Sequence, residues 1–404
     1  MPDRPSAVIV SALRTPVGRY GGILRDIRPD DLGASVIEAL VRSARADPAT
    51  VDDVIWGCAN QAGEDCRNVG RMSGLLAGLP FSVPGTTVNR LCGSSLEAVI
   101  QADRGVRSGD METVIAGGAE SMSRAPYALA NRQPRGPGNL TAFDTVLGWR
   151  FPNPRMAELF PLESMGETAE NVAERFGVTR EEQDRFAYES HMKAVQAQKS
   201  GLFENEIVPL DVPAGRGKSL RVSADEGPRG DTSLEKLAAL PPVFRPGGSV
   251  TAGNSSPLND GASGVLIMNE ARARSAGLTP LARIVSSGVA GVDPRFMGTG
   301  PVPATRIALA RAGLSMDDIG AIELNEAFAS QAIAVMRELR ARPDRVNPYG
   351  GAIALGHPLG SSGTRILTTL LNSMRRRRVQ WGLATMCIGV GQGISVIVEN
   401  QQGL

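Results

Sequence analysis

A cysteine placed where a helical pattern begins offers a nucleophilic sulfur, and Cys92 has that place: Val88-Asn89-Arg90-Leu91-Cys92-Gly93-Ser94-Ser95 follows a β-prone run and precedes Leu96-Glu97-Ala98-Val99-Ile100. The positive end of a helix dipole favours thiolate, the reactive form, and small neighbours let a substrate approach. A buried, inert cysteine is the plainer account of the same residue. The chain has only two histidines, so chemistry that needs imidazole has little choice. His357 stands within Gly350-Gly351-Ala352-Ile353-Ala354-Leu355-Gly356-His357-Pro358-Leu359-Gly360, where glycine is denser than packing requires and a ligand can come close. His191 lies in a polar helical stretch and reads as a surface residue. Cys387 is in Thr385-Met386-Cys387-Ile388-Gly389-Val390-Gly391, a glycine turn between two β-prone runs. The amides of such a hairpin can point at a developing oxyanion, although a buried cysteine beside a turn explains the pattern as well. Asn325-Glu326-Ala327-Phe328 follows the apolar run 319–324 and so falls at a strand's C-terminal end, where open α/β sheets bind ligands. An Asn-capped helix start is its bland explanation.

The elements that must position these groups alternate. Runs 7–11, 53–57, 86–89 and 113–117 have strand character, and 32–46 and 95–107 are amphipathic helical stretches between them. That order predicts an α/β fold. From about 123 to 248 the character changes: Pro and Gly cluster at 134–138 and 151–154, one long polar helical segment spans about 166–200, and a charged loop covers 213–231. This stretch reads as an inserted, loop-rich module. From 249 the α/β pattern returns, with strand-like runs near 264–268, 281–285, 319–324, 381–386 and 394–398. The two ends echo each other: Asp52-Asp53-Val54 matches Asp317-Asp318-Ile319, and Gly93-Ser94-Ser95 matches Gly360-Ser361-Ser362, at nearly one offset. A shared offset points to a duplicated fold.

At 404 residues the chain exceeds one ordinary core, and its 42% apolar and 21% charged composition is that of a globular protein. A net charge of +1 gives no reason to expect nucleic acid. The basic run Arg375 to Arg378 reads as a helix end that complements the dipole. No apolar run reaches membrane-spanning length, and Met1–Val10 enters a strand pattern without a signal core, so a cytoplasmic protein is expected. Four scattered cysteines make no disulfide framework and show no zinc-ligand spacing, so a reduced compartment and no metal are expected.

Taken together and in this order, Cys92 in its setting, Asn325-Glu326-Ala327-Phe328, Gly356-His357-Pro358 and Cys387-Ile388-Gly389 closely resemble the thiolase family over essentially the whole chain. Met165-Gly166-Glu167-Thr168-Ala169, Asp225-Glu226 leading to Arg229, Thr251-Ala252-Gly253-Asn254 and Asn259-Asp260-Gly261-Ala262 extend the match. The resemblance implies duplicated βαβαβαββ halves in five αβαβα layers, with 1–122 plus 249–275 as the N-terminal half, 123–248 as the inserted loop domain and 276–404 as the C-terminal half. It implies an acyltransferase that cleaves a 3-ketoacyl-CoA with coenzyme A, or runs the reverse condensation, through an acyl-cysteine. Cys92 would be the nucleophile, His357 its base, and Cys387 the acid/base at the acetyl-CoA carbon. Asn325 would hold a water beside His357 to form one oxyanion hole, and the amides of Cys92 and Gly389 the other. Arg229 would lie near the adenine end of CoA and Ser256 near the pantetheine, with Met165 and Phe328 shaping the acyl pocket. Coenzyme A would be a substrate, with no permanent cofactor, and the chain a homodimer or homotetramer acting in fatty-acid or aromatic catabolism.

Departures bear on substrate. Ser164 replaces the histidine that many short-chain biosynthetic members have before Met165, and Val390 replaces a third glycine after Cys387. Both, with the stretch from Phe143 to Phe151, look more like degradative 3-oxoadipyl-CoA-type thiolases. Tyr349 and Ser94-Ser95 also depart from the common pattern, without a functional reading. Two other classes compete: a β-ketoacyl synthase-like condensing enzyme, disfavoured by the scarcity of histidine, and a non-catalytic CoA- or lipid-binding protein, which would be expected to have lost a catalytic position.

Overall fold

The structure, a computed structural model, describes residues 5–130, 139–215 and 217–403; the Pro/Gly cluster at 134–138 lies outside the described residues. Nine long strands are numbered here in chain order: β1 (Ala7–Arg14), β2 (Asp53–Gly57), β3 (Gly85–Val88), β4 (Thr113–Ser121), β5 (Asn259–Asn269), β6 (Ala282–Gly291), β7 (Ile319–Leu324), β8 (Trp381–Ile388) and β9 (Gln392–Asn400). The helices that matter most are α1 (Pro29–Ala44), α2 (Val69–Leu76), α3 (Ser94–Ser108), α4 (Met165–Phe176), α5 (Arg180–Lys199), α6 (Pro301–Ala312), α7 (Ala329–Leu339) and α8 (Ser362–Arg377).

The N-terminal half runs β3-β2-β4-β5-β1, the C-terminal half β6-β9-β8-β7. In each half the parallel strands (β2 and β4; β7 and β8) are followed by two antiparallel ones, as a repeated βαβαβαββ unit requires. The repeat is imperfect in one place. Where the N-terminal half has β3, the C-terminal half keeps only a parallel bridge between Ile322 and Val346. The halves join edge to edge where Val8 and Ile9 of β1 meet Arg283 and Ala282 of β6.

Strand alternation sorts side chains into three cores. Val54 and Trp56 point outward with Leu32, Ile37 and Leu40 of α1. Ile55 points the other way, into a core shared by Leu96, Val99 and Ile100 of α3 and Ile366, Leu367 and Leu370 of α8. Ile322 and Leu324 of β7 pack outward against the α6–α7 side. Helices α3 and α8 therefore form the middle of five layers, packed against both half-sheets. Each fully buried Leu or Ile contributes roughly 1.5–3 kcal/mol, and that double-sided burial is why α3 and α8 hold the centre.

The two echoed Gly-Ser-Ser segments meet here. The amide of Thr364 donates to Ser95 Oγ at 3.0 Å. A Cβ on Gly363 would stand 2.5 Å from the backbone nitrogen of Leu96, so glycine lets the middle helices touch. The segment read as one polar helix over 166–200 is two, because Gly177 ends α4 in the left-handed conformation and Thr179 opens α5 with a capping box. The basic run Arg375 to Arg378 does close α8, with Arg378 as its left-handed cap. Among the described residues no helix is long and apolar enough to cross a membrane. Gly363→Ala is expected to cost about 1–3 kcal/mol by forcing α3 and α8 apart, read as a lower denaturant midpoint; an unchanged midpoint would contradict the close approach.

Candidate active site

Cys92 sits on the turn between β3 and α3, and local polar groups build that turn. Leu91 is held at φ 48°, a costly conformation for a branched side chain. The Leu91 amide donates to Asn89 Oδ1 at 2.9 Å, Ser94 Oγ donates to the Leu91 carbonyl at 2.6 Å, and the Arg90 amide donates to Ser94 Oγ at 2.9 Å. Gly93 then starts the helix because a Cβ there would strike Ile388 of the neighbouring half. Cys92 is thus fixed by its own turn and by the other half of the duplication.

His357 comes from the glycine-framed loop before α8. Its amide donates to Asn259 Oδ1 at 2.8 Å, which seats the loop on β5. Ser362 Oγ donates to the Pro358 carbonyl at 2.9 Å. That hydroxyl therefore accepts from His357 Nδ1, 2.6 Å away, which puts the ring proton on Nδ1 and leaves Nε2 with a free lone pair. The Asn325 side-chain amide lies 3.4 Å from Nε2. Asn325 is no helix cap: α7 starts four residues later at Ala329 without a side-chain cap.

Cys387 is the penultimate residue of β8, just before the hairpin turn, and is buried. Cys92, His357, Cys387 and Gly389 all line one narrow cavity of about 70 Å³, together with Ser256, Met165 and Phe328. Pro257 and Leu258 continue from it into a broader cleft of about 450 Å³ that contains Arg229, Lys236, Arg19 and His191. The site residues read from the sequence are thereby brought together, Arg229 in the outer cleft and the others around the inner cavity or, for Asn325, against its imidazole. A larger surface depression of about 930 Å³ beside Tyr20 and Arg124 contains neither these sulfurs nor the imidazole.

Electrostatics corrects one expectation. The dipole at α3 was expected to favour thiolate on Cys92, but burial wins and pushes the thiol up to about 11, opposed by the amides of Gly389 and of Cys92 itself. Burial also raises the Cys387 thiol far above its usual range, and charge on Cys92 raises it further. The two sulfurs feel each other, so one proton loss discourages the second. Burial, helped by the Arg365 guanidinium, lowers His357 to about 3. The imidazole is therefore neutral and able to accept a proton at ordinary pH.

His191 is a second correction. It is buried, its Nδ1 accepts the Arg229 amide at 3.2 Å, and burial with Arg229 nearby lowers it to about 4. The face of α5 that carries His191 packs against the loop with Arg229, while Glu181, Arg185, Glu189 and Gln196 on the other side are exposed.

Sequence reading missed three polar groups that hold the site. Ser362 appeared only as part of an echo. Glu326 bonds Ser190 Oγ, Asn347 Nδ2 and the Ile353 amide, all inside the protein. Glu120 accepts the amides of Ala59 and Asn60 and, across the halves, of Gly360. A glutamate in a strand whose nine residues are all buried was the available signal for the last. Burial raises Glu120 to about 7. Cys58 and Asp65 lie against it, a grouping that could ligate a metal, but its carboxylates already accept backbone amides.

Residues 7–271 match the thiolase N-terminal domain and residues 278–400 the thiolase C-terminal domain. The chain belongs to the thiolase family, and it is an enzyme, an acyltransferase with thiolase activity. Among its relatives, the beta-ketoadipyl-CoA thiolase of Acinetobacter baylyi is 52% identical over 97% of this chain and 99% of that protein. The 3-oxoadipyl-CoA/3-oxo-5,6-dehydrosuberyl-CoA thiolase of Escherichia coli is 53% identical over the same shares. The crystal structure of human mitochondrial 3-ketoacyl-CoA thiolase has a TM-score of 0.92 at 40% identity, covering 98% of this chain and 99% of that one.

Val390, next to Gly389 in the β8–β9 hairpin, is held at φ 60°, where a β-branched residue is strained. Val390→Gly should raise stability by about 1 kcal/mol, since about 1–3 kcal/mol of strain outweighs the added freedom of the unfolded glycine. Thermal unfolding checks this, and a lowered midpoint would mean that the valine's contacts dominate.

Proposed function

We propose that this thiolase cleaves a 3-ketoacyl-CoA whose acyl chain ends in a carboxylate, of the 3-oxoadipyl-CoA type, with Cys92, His357, Cys387 and Asn325 as the reacting groups. The observation that carries the reading is the convergence of two thiols, a neutral imidazole and the Gly389 amide on one narrow cavity. His357 Nε2 takes the Cys92 proton, and the thiolate attacks the keto carbon. The amides of Cys92 and Gly389 stabilise the alkoxide that forms. As the bond between the α-carbon and the former keto carbon breaks, the Cys387 thiol protonates the departing acetyl-CoA carbanion, whose enolate oxygen faces the protonated imidazole and Asn325. The acyl group is then on Cys92. Cys387, now thiolate, takes the proton of incoming CoA, whose sulfur attacks the thioester, and His357 returns its proton to Cys92. No resident cofactor or metal is needed for these steps.

The outer cleft gathers Arg229, Lys236 and Arg19, suited to the polyanionic end of CoA, while Ser256 at the constriction borders the pantetheine arm and Met165 and Phe328 the acyl slot. The distal carboxylate has a candidate partner. Leu147 lines the cavity, and Arg150 on the same loop bonds only uncharged oxygens among the described residues, those of Thr145 and Asn60. A half-buried guanidinium with no anionic partner is available to a carboxylate. The names of the curated relatives support this substrate class.

The reading includes the three-part division at 1–122 with 249–275, 123–248 and 276–404, and a cytoplasmic homodimer or homotetramer working in the degradative direction. Exposed Phe81 and Leu76 beside the open edge of β3 support one subunit contact. Tyr127 and Leu129, exposed on the small hairpin with Ala142–Asp144, support a second.

Cys92→Ala should abolish acyl transfer while calorimetry still detects CoA binding; normal turnover would end the assignment of the nucleophile. Thiolysis assays with Arg150→Met should show kcat/KM for 3-oxoadipyl-CoA reduced about 10-fold or more, with acetoacetyl-CoA changed far less. Equal losses on both substrates would make Arg150 a loop anchor only.

A further inference from the structure

The imidazole of His357 is held from two sides by two different elements. Ser362, on Nδ1, is in the first turn of α8; Asn325, beside Nε2, follows the last residue of β7. One helical turn after Ser362 comes Arg365, and two residues before Asn325, on the same strand face, comes Glu323. Arg365 Nη1 and Glu323 Oε2 lie 3.7 Å apart, an ionic contact without a hydrogen bond; both side chains are 1% exposed, and none of their polar atoms has a hydrogen-bond partner among the described residues. Ala321, one strand period earlier, packs in the core that α8 helps to fill, so Glu323 points at that helix. Burial pushes Glu323 up to about 8 and lowers Arg365, and each opposes that shift in the other; two such groups taken so far out of water are costly unless they stay together, and here they can do so only while β7 and α8 keep one spacing.

From this placement we propose that the Arg365–Glu323 pair is the positioning device of the catalytic base, tying the strand that bears Asn325 to the helix that bears Ser362 so that the imidazole is clamped in one orientation and one tautomer. The inference rests on the reading of His357 as the base and deepens it. The surroundings fit the role. The stripe of α8 below Arg365 continues as Thr369 and Asn372, which bond Glu206 at 3.1 and 2.7 Å, and Glu206 in turn accepts Arg14 Nε at 2.7 Å. Charged groups near the pair are thus Arg14 and Glu206, with Glu326 beyond the strand end and Lys193 from α5. Arg365 is the charged group that bears on His357, and its positive charge disfavours protonation of the ring.

Kinetics of Arg365→Met, Arg365→Lys and Glu323→Gln test the proposal. In the methionine variant, kcat should fall about 10-fold or more while KM for CoA stays near wild type. Because a positive charge next to the base has gone, the acid limb of kcat/KM should move to higher pH. The lysine variant keeps the charge and should recover part of kcat and most of the pH profile. Should the methionine variant fail to fold, the lysine and glutamine variants carry the test, Glu323→Gln lowering kcat at unchanged KM. Soluble variants that keep wild-type kcat and acid limb would overturn the proposal. So would losses that only track the folded fraction with no change in pH profile. Full activity in a His357→Ala control would instead remove the reading of His357 as base.

Discussion

Taking the reacting groups out of water is the constraint to which the rest of this structure answers. A thiol at about 11 and an imidazole at about 3 are both displaced from their solution values by the same cause, and in a direction that keeps each neutral. Neutral partners can share a cavity of about 70 Å³ without the penalty that a resting thiolate–imidazolium pair would carry. Charge then arises only when substrate is present to receive it, and there the amides of Cys92 and Gly389 already oppose the burial cost at sulfur. The helix dipole acts in the same sense, but desolvation of the half-buried Cys92 sulfur exceeds it.

Reaching that dryness requires the two halves of the duplication to close on each other. Gly363 against Leu96, Thr364 on Ser95 and Glu120 on the Gly360 amide are all contacts between halves, and all lie within a few residues of Cys92 or His357. Neither half holds a complete site. Cys92 comes from the N-terminal half, and His357, Asn325 and Cys387 from the C-terminal half, so the interface that excludes water is also the one that assembles the cavity. The strand lost opposite β3, reduced to the Ile322–Val346 bridge, falls away from this contact and costs it nothing.

Much of this was legible in the sequence because periodicity and motif order survive without coordinates. The strand runs at 7–11, 53–57, 113–117 and 319–324 fall within β1, β2, β4 and β7, and the four motif segments do converge. What escaped was whatever depended on who the neighbour is. His191 looks polar and solvated in its helix, yet it is covered by the Arg229 loop, a contact across 38 residues of chain. The apparent single helix over 166–200 has good helix formers throughout and breaks only at Gly177, where a left-handed turn is wanted. Residues that depart from the family pattern also have structural places. Ser164 is the cap of α4, accepting the Glu167 amide at 3.3 Å; Ser95 receives Thr364 of the other half; Tyr349 packs edge-on against Phe203, ring centroids 6.4 Å apart.

Helix α8 carries a buried polar stripe, and the reason follows from that helix's position. Up to Met374 this middle-layer helix has almost no solvent face, so its side chains lie either in an apolar core or against polar groups inside the protein. Ile366, Leu367 and Leu370 take the first course, while Ser362, Arg365, Thr369 and Asn372 take the second, meeting His357, Glu323 and Glu206. Glu206 and Asp225, both from the inserted region, converge on Arg14 of β1. The polar stripe of one central helix thus meets the His357 loop at its first turn and Glu206 two turns further on. A hydrophobic stripe of the same volume could pack as well, but it would fix neither the rotation of α8 about its axis nor the side of the imidazole on which the proton resides.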